Sequence, residues 1–196
     1  MNTIYDWFMA PLEAFRLRAV RKALIPGATG SVLEIGTGTG ANLPFLDYEK
    51  IDTLTLSDIK ISRRAKNFKF PKDLKVEILE APLEDLTVPA QSFDSIVFTL
   101  VFCSVADPLE GLKRVYDLLR PGGRIYFIEH VMPDHKYHRV RNVVNGVNPH
   151  WSKIASGCNL NRETLETIQE AGFLLERHST SLGGALIEGV GIKPVT

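Results

Sequence analysis

The chain has little that would connect it with an extracellular, membrane-spanning or nucleic-acid-binding role. Its 196 residues contain only two cysteines, Cys103 and Cys158, and its positive and negative charges cancel. Because neither cysteine has metal-ligand spacing and a disulfide framework is implausible, we expect no metal and a reducing cytoplasm. No apolar run approaches the ~20 residues that span a bilayer, and the first residues do not read as a signal peptide. Zero net charge gives no reason to expect a nucleic-acid partner.

Short apolar runs alternate with helical periods along most of the chain, which predicts one domain over residues 1–196. We expect an α/β fold with a doubly wound, mostly parallel, seven-stranded sheet, a C-terminal antiparallel hairpin and helices on both faces. The predicted strands are Val32–Ile35, Thr53–Ser57, Val76–Leu79, Ser95–Thr99, Arg124–Glu129, Phe173–Arg177 and Ala185–Val190. The predicted helices are Pro11–Leu24, within an N-terminal cap of residues 1–30, Pro108–Leu119, which ends in a turn at Arg120-Pro121-Gly122-Gly123, and Arg162–Ala171.

The most informative segment is SVLEIGTGTGAN at residues 31–42, an apolar strand that runs into three glycines at alternate positions. A helical segment is expected to follow. Gly36, Gly38 and Gly40 have no Cβ, so the turn can be sharp and bare backbone N–H groups can reach a ligand. This order of strand, glycines and helix predicts a loop that binds a nucleotide-like cofactor.

Two cofactors are compatible with this loop. Gly36-x-Gly38-x-x-Ala41 matches the loose dinucleotide fingerprint, so an NAD-dependent oxidoreductase is the alternative. However, Glu34 lies two residues before the first glycine, where a carboxylate is unfavourable beside a pyrophosphate but can receive a cationic ammonium. The third glycine, Gly40, adds the spacing G-x-G-x-G. These features favour S-adenosyl-L-methionine, with S-adenosyl-L-homocysteine as the product.

Residues that follow the strands are the next candidates, because ligands of such a sheet bind beyond the carboxyl ends of its strands. Asp58 closes the second strand, at a distance from the glycines where a carboxylate can accept both hydroxyls of a ribose. Glu129 and His130 close the fifth strand. His130 is the candidate that accepts or steers a proton, and Glu129 is expected to orient it.

Five features in this order resemble the class I S-adenosylmethionine-dependent methyltransferases over nearly the whole chain. They are VLEIGTGTGAN, the strand-end Asp58, FDSIVFTLVFCSV, LLRPGGRIYFIEHV and the closing hairpin. The opening YDWFMAPLE and the later GCNLNRETLETIQEAGF look like a subgroup that contains small phospholipid N-methyltransferases and membrane-associated alkyl-thiol methyltransferases.

The resemblance implies roles for individual residues. Gly36, Thr37 and Gly38 would hold the methionine moiety and Asp58 the ribose, while Leu83 and Glu84 would lie by the adenine. Thr99 and Leu100 would form the floor of the site, and Tyr5 would close over the cofactor. Many relatives carry an acid at the position of Pro82, so here we expect adenine recognition from the N–H of Leu83 and from apolar contacts of Ile59 and Leu83.

The segment 132–156 is predicted to be the lid that meets the acceptor. It combines basic residues with apolar ones and Trp151, which suits an amphiphilic or anionic acceptor. The basic residues and histidines are Lys136, Arg139, Arg141, Lys153, His135, His138 and His150. A solvated loop is the alternative, and the spacing of His130, His135 and His138 matches no usual metal site.

Together these observations predict methyl transfer to a small-molecule or lipid-like acceptor. The protein would align the acceptor about 3 Å from the methyl group and exclude water. The alternatives are the NAD-dependent oxidoreductase and a non-catalytic, cofactor-binding partner of another protein. We expect no transmembrane segment, although contact with a membrane surface is compatible with the lid.

Overall fold

The computed structural model describes residues 16–155 and 157–195. Its strands are β1 (Gly30–Ile35), β2 (Ile51–Ser57), β3 (Lys75–Leu79), β4 (Phe93–Thr99), β5 (Leu119–His130), β6 (Leu174–Ser181) and β7 (Leu186–Ile192). They form one sheet in the order β3-β2-β1-β4-β5-β7-β6. The first five strands are parallel, and β7 pairs antiparallel with both β5 and β6. The predicted sheet and its closing hairpin are therefore confirmed, and the strand order reverses between β1 and β4, where ligands of such sheets bind.

Helices cover both faces of this sheet. They are α1 (Arg18–Leu24), α2 (Arg63–Lys66), α3 (Pro108–Leu118), α4 (His138–Ile154) and α5 (Thr164–Glu170). On one face Leu112 of α3 and Ile168 of α5 pack with Phe98 of β4 in one buried cluster. On the other face Leu24 of α1 and Ala65 of α2 belong to a second cluster. The part of the predicted N-terminal helix in residues 11–15 lies outside the described residues.

Two local expectations are wrong. No α-helix follows the glycines: the chain makes only short 3-10 turns, Leu43–Phe45 and Tyr48–Lys50, before β2 begins at Ile51. Too few residues separate Gly40 from β2 for a helix and its two connections. The predicted turn at residues 120–123 instead lies inside β5, where pairing with β4 jumps from Leu119 to Arg124 as a bulge.

None of the helices within residues 16–155 and 157–195 is both long and apolar enough to cross a membrane.

Candidate active site

The carboxyl ends of β1, β2, β4 and β5 bring the predicted residues to one edge of the sheet. The first is Glu34 near the end of β1, whose side chain is only 1% exposed. Its carboxylate accepts hydrogen bonds from Asn42 Nδ2 at 2.9 Å and Thr37 Oγ1 at 3.2 Å. Burial nevertheless raises the pKa of Glu34 to about 7, and hydrogen bonding lowers it only in part. A cation beside this carboxyl would favour its charged form, which fits the predicted ammonium contact.

A buried polar network that the sequence analysis missed surrounds Glu34. Asn42 Nδ2 also donates to Thr99 Oγ1 at 3.0 Å, and Asn42 Oδ1 accepts from Arg21 Nε at 2.7 Å. Arg21 belongs to α1 and is only 4% exposed. Arg21 therefore joins the N-terminal segment to the site. Asn42 was recognisable only as the last residue of the glycine motif.

The N–H groups of the three glycines are not bare, contrary to expectation. The N–H groups of Gly36 and Thr37 donate to Ser57 O at 2.8 and 3.0 Å, and that of Gly40 donates to Thr37 O at 2.8 Å. The N–H of Gly38 donates to Asp58 Oδ2 at 2.8 Å. These donors connect β1 to the end of β2, so the loop is held by the protein itself.

The glycines are required by backbone conformation and space. Gly36 has φ +72°, and a Cβ there would lie 2.3 Å from Val101 Cγ2. Gly38 has φ +50°, and its nearest neighbour would be Asp58 Oδ2 at 3.7 Å. Gly36 can therefore pack closely against the chain after β4, and both glycines adopt a backbone conformation that other residues rarely adopt.

Asp58, the predicted ribose ligand, directly follows β2. It is half-buried and accepts N–H groups from Gly38 and, at 2.9 Å, Lys60. A carboxylate has about four acceptor positions, so two remain for ribose hydroxyls. Ile59 follows it with 75% of its surface exposed. This large apolar side chain is available to cover an adenine.

The adenine contact of Leu83 stays a prediction for its backbone. Its side chain is buried in the core, where Cδ2 approaches Gly111 of α3, and cannot sandwich an adenine as expected. The N–H of Leu83 donates no hydrogen bond within the described part of the chain. Glu84 is exposed in the same 3-10 turn.

Thr99, the last residue of β4, and Leu100, which follows it, are the predicted floor of the site. Thr99 is fixed by Asn42, and the N–H of Leu100 donates to Ile128 O at 2.8 Å. Leu100 has φ +58°, which is unfavourable for a branched side chain and turns the chain sharply away from the sheet. Tyr5, the predicted cover, lies outside the described residues.

Glu129 does not orient His130, so its predicted catalytic role is wrong. Its buried carboxylate accepts the N–H groups of Val101 and Phe102 at 2.8 and 3.1 Å and of Cys103 at 3.4 Å. Burial raises the pKa of Glu129 to about 8, although these hydrogen bonds oppose the shift. This side chain positions the loop after β4.

His130 ends β5 and is only 8% exposed. Its Nδ1 has no hydrogen-bond partner in the described chain. One ring nitrogen and the sulfurs of Cys103 and Cys158 all lie within 4.8 Å of one another. The sequence did not reveal this group because its members come from three separate segments.

The predicted lid is mostly the helix α4, not a loop. Val140, Val143 and Val147 are exposed along one side of it. Arg141 faces the protein and donates to Pro133 O and Glu163 Oε1, each at 2.7 Å. It is therefore a structural residue, contrary to its predicted contact with the acceptor.

Comparison with known proteins gives one consistent result. A methyltransferase-domain family matches residues 10–176. The chain is 33% identical over 188 residues to the thiol S-methyltransferase TMT1B of Mus musculus, covering 88% of this chain and 76% of that protein. It is 32% identical to human thiol S-methyltransferase TMT1A, covering 88% and 71% of the two chains.

A solved structure shares the fold. The S-adenosylmethionine-dependent methyltransferase from Mesorhizobium loti has a TM-score of 0.66 and 18% identity over 89% of this chain and 96% of its own. The match to the methyltransferase-domain family and the thiol S-methyltransferase relatives set aside the NAD-dependent oxidoreductase. The chain belongs to the class I S-adenosylmethionine-dependent methyltransferases.

Proposed function

We propose that this methyltransferase acts on the sulfur of an amphiphilic small-molecule thiol. The observation that carries the proposal is His130, a buried histidine with an unpartnered Nδ1 at the end of β5. A thiol with a pKa near 8.5 must lose its proton to become a good nucleophile, whereas a neutral amine already has its lone pair. The thiol S-methyltransferase relatives support the same acceptor class.

The residues present fit the cofactor that the family uses. Glu34 would receive its ammonium group, Asp58 its ribose and the N–H of Leu83 its adenine. When bound, S-adenosylmethionine supplies an electrophilic methyl group on a sulfonium. The buried network of Arg21, Asn42 and Glu34 holds the cation-binding carboxyl in place before any ligand arrives.

The chain's own contribution to the reaction is alignment, exclusion of water and removal of the thiol proton. Good alignment can lower the barrier by about 7–11 kcal/mol. His130 is the residue that would assist deprotonation, because it ends β5, the strand that pairs with β4 next to the predicted floor residue Thr99. No hydrogen bond within the described residues occupies its Nδ1.

We further propose that α4 guides the acceptor. Its exposed valines would contact an alkyl portion, and exposed Arg139 and Lys153 would meet negative charge. Lys136 is less available, because it lies 3.3 Å from Asp134 Oδ2 and over the ring of Tyr137.

The acceptor class is tested with an alkyl thiol, an alkyl amine and an alkyl alcohol of the same chain length. We expect release of S-adenosylhomocysteine with the thiol and at most a small fraction of that rate with the others. Chromatographic quantification of the methylated products provides the measurement. Faster turnover of the amine would contradict the proposed acceptor while leaving the family assignment intact.

Replacing Asp58 with Ala should weaken cofactor binding by about 1.5–3 kcal/mol, roughly 10–150-fold, because hydrogen bonds to a charged group are lost. Calorimetric titration with S-adenosylhomocysteine measures the change. Asp52→Ala, at the exposed start of the same strand, is the control. Unchanged affinity in a folded Asp58→Ala protein would remove this residue from the site.

The affinity for S-adenosylmethionine should depend on the titration of Glu34. Its pKa is about 7 without ligand, and the cationic ammonium binds the charged form, so affinity is full above pH 7 and lost below it. Between pH 8 and pH 6 the loss should be about tenfold. Glu34→Gln should bind weakly at both values, whereas exposed Glu49→Gln should keep the wild-type profile. A pH-independent wild-type affinity would contradict the ammonium contact.

Changing Arg139 and Lys153 together to Ser should raise the KM of an anionic amphiphilic thiol several-fold and alter kcat less. Ground-state binding is lost in this variant, while the reacting groups are untouched. Lys69→Ser with Lys72→Ser, on another exposed segment, is the matched control. Loss of cofactor affinity, or unchanged kinetics with every acceptor, would show that α4 does not guide the acceptor.

A further inference from the structure

Cys103, His130 and Cys158 form a compact group that the cofactor site does not use. They follow β4, end β5 and follow α4, respectively. Their potential ligand atoms all lie within 4.8 Å of one another, and both thiols are only 1% exposed. No disulfide joins the two cysteines, both of which are free.

The surrounding backbone holds the two cysteine segments together. The N–H of Asn159 donates to Cys103 O at 2.7 Å, and the N–H of Cys158 donates to Ala155 O at 3.0 Å. Asn148 of α4 donates to Asn159 Oδ1 at 3.1 Å and accepts the N–H of Leu160 at 2.7 Å. The thiols are therefore positioned by elements that are themselves fixed, as a preorganised ligand set requires.

The chemistry of the group suits a metal ion. Cys158 hydrogen-bonds with Cys103, His130 and Trp151. A deprotonated thiol is the form of cysteine that binds metals. Nδ1 of His130 is buried and has no hydrogen-bond partner in the described chain.

We propose that Cys103 Sγ, Cys158 Sγ and a ring nitrogen of His130 bind one zinc ion. Two soft thiolates and an imidazole are a preferred donor set for zinc, with Zn–S near 2.3 Å and Zn–N near 2.0–2.1 Å. A tetrahedral ion with these bonds places its donor atoms roughly 3.5–3.8 Å apart, so a contraction of at most about 1.3 Å from the 4.8 Å limit is sufficient. Binding releases the thiol protons to solvent and leaves a neutral histidine as the third ligand.

Three protein ligands leave one tetrahedral position, the arrangement of catalytic zinc sites. We assign this position to the acceptor sulfur, and this assignment rests on the proposed thiol acceptor. Coordination would lower the acceptor's pKa and release its proton to solvent, after which the sulfur forms a bond to the methyl carbon as the sulfonium bond breaks. The assistance expected from His130 would then act through the metal. Trp151 of α4, the helix proposed to guide the acceptor, packs against the two cysteines.

The first test uses the full chain, reduced and freed of metal by a chelator. Titration with zinc should give one tightly bound ion per chain. Titration with cobalt(II) should give visible absorption of a tetrahedral ion and a thiolate-to-metal charge-transfer band. Failure of the folded, reduced protein to bind either ion would overturn the proposal.

Variants identify the ligands. Cys103→Ser, Cys158→Ser and His130→Ala should each weaken zinc binding by more than roughly 10–100-fold, which is the loss typical when a residue that only orients a metal ligand is removed. His178→Ala, an exposed histidine on β6, is the control. Circular dichroism and S-adenosylhomocysteine binding establish that each variant is folded. The metal titrations of the native chain stand even if a variant misfolds. Wild-type affinity for zinc in a folded double-cysteine variant would overturn the assignment.

Failure of this inference is distinguishable from failure of the proposed function. Thiol methylation by a zinc-free protein would reject the metal site and retain the thiol acceptor. Stoichiometric zinc binding with methylation of amines alone would reject the thiol acceptor and the open-position assignment, but not the three metal ligands.

Discussion

The buried carboxylate of Glu129 is the constraint on which the rest of the site depends. It joins β5 to the first three residues beyond Leu100 through the N–H groups of Val101, Phe102 and Cys103. Such contacts compensate part of the cost of burying a carboxyl and leave little freedom for the loop. They also explain how Leu100 can hold a left-handed backbone conformation, because the residues on its C-terminal side are fixed.

That loop determines the shape of the cofactor side as well. Val101 lies so close to Gly36 that no other residue fits there, and the N–H groups of Gly36, Thr37 and Gly38 donate to Ser57 and Asp58. The glycine loop is consequently a rigid surface, and side chains at the strand ends are left to recognise the cofactor. A cofactor that carries a cation and a ribose suits such a surface better than a pyrophosphate, which requires several free N–H groups.

The sequence predicted the parts of the fold that depend on local pattern. Continuous apolar runs such as those of β1 and β4 are typical of buried parallel strands, and their ends located Glu34, Asp58 and His130. The role of Glu129 could not be predicted, because it depends on a loop from another strand. Arg141 was misread for a similar reason: its partners Pro133 and Glu163 are brought to it only by the folding of α4.

The side chains of the site fall into two groups with different chemistry. On the cofactor side, Glu34 and Asp58 are acids that a cationic ligand and ribose hydroxyls can satisfy. Cys103, Cys158 and His130 offer two thiols and an imidazole instead, which we propose to bind a metal and to take part in deprotonation of the acceptor. Asn42 fixes Thr99 at the end of β4, while Glu129 fixes the loop that follows Leu100. A thiol acceptor must lose its proton before its sulfur attacks the methyl carbon, and this task falls to the second group, because Glu34 and Asp58 would be occupied by the cofactor.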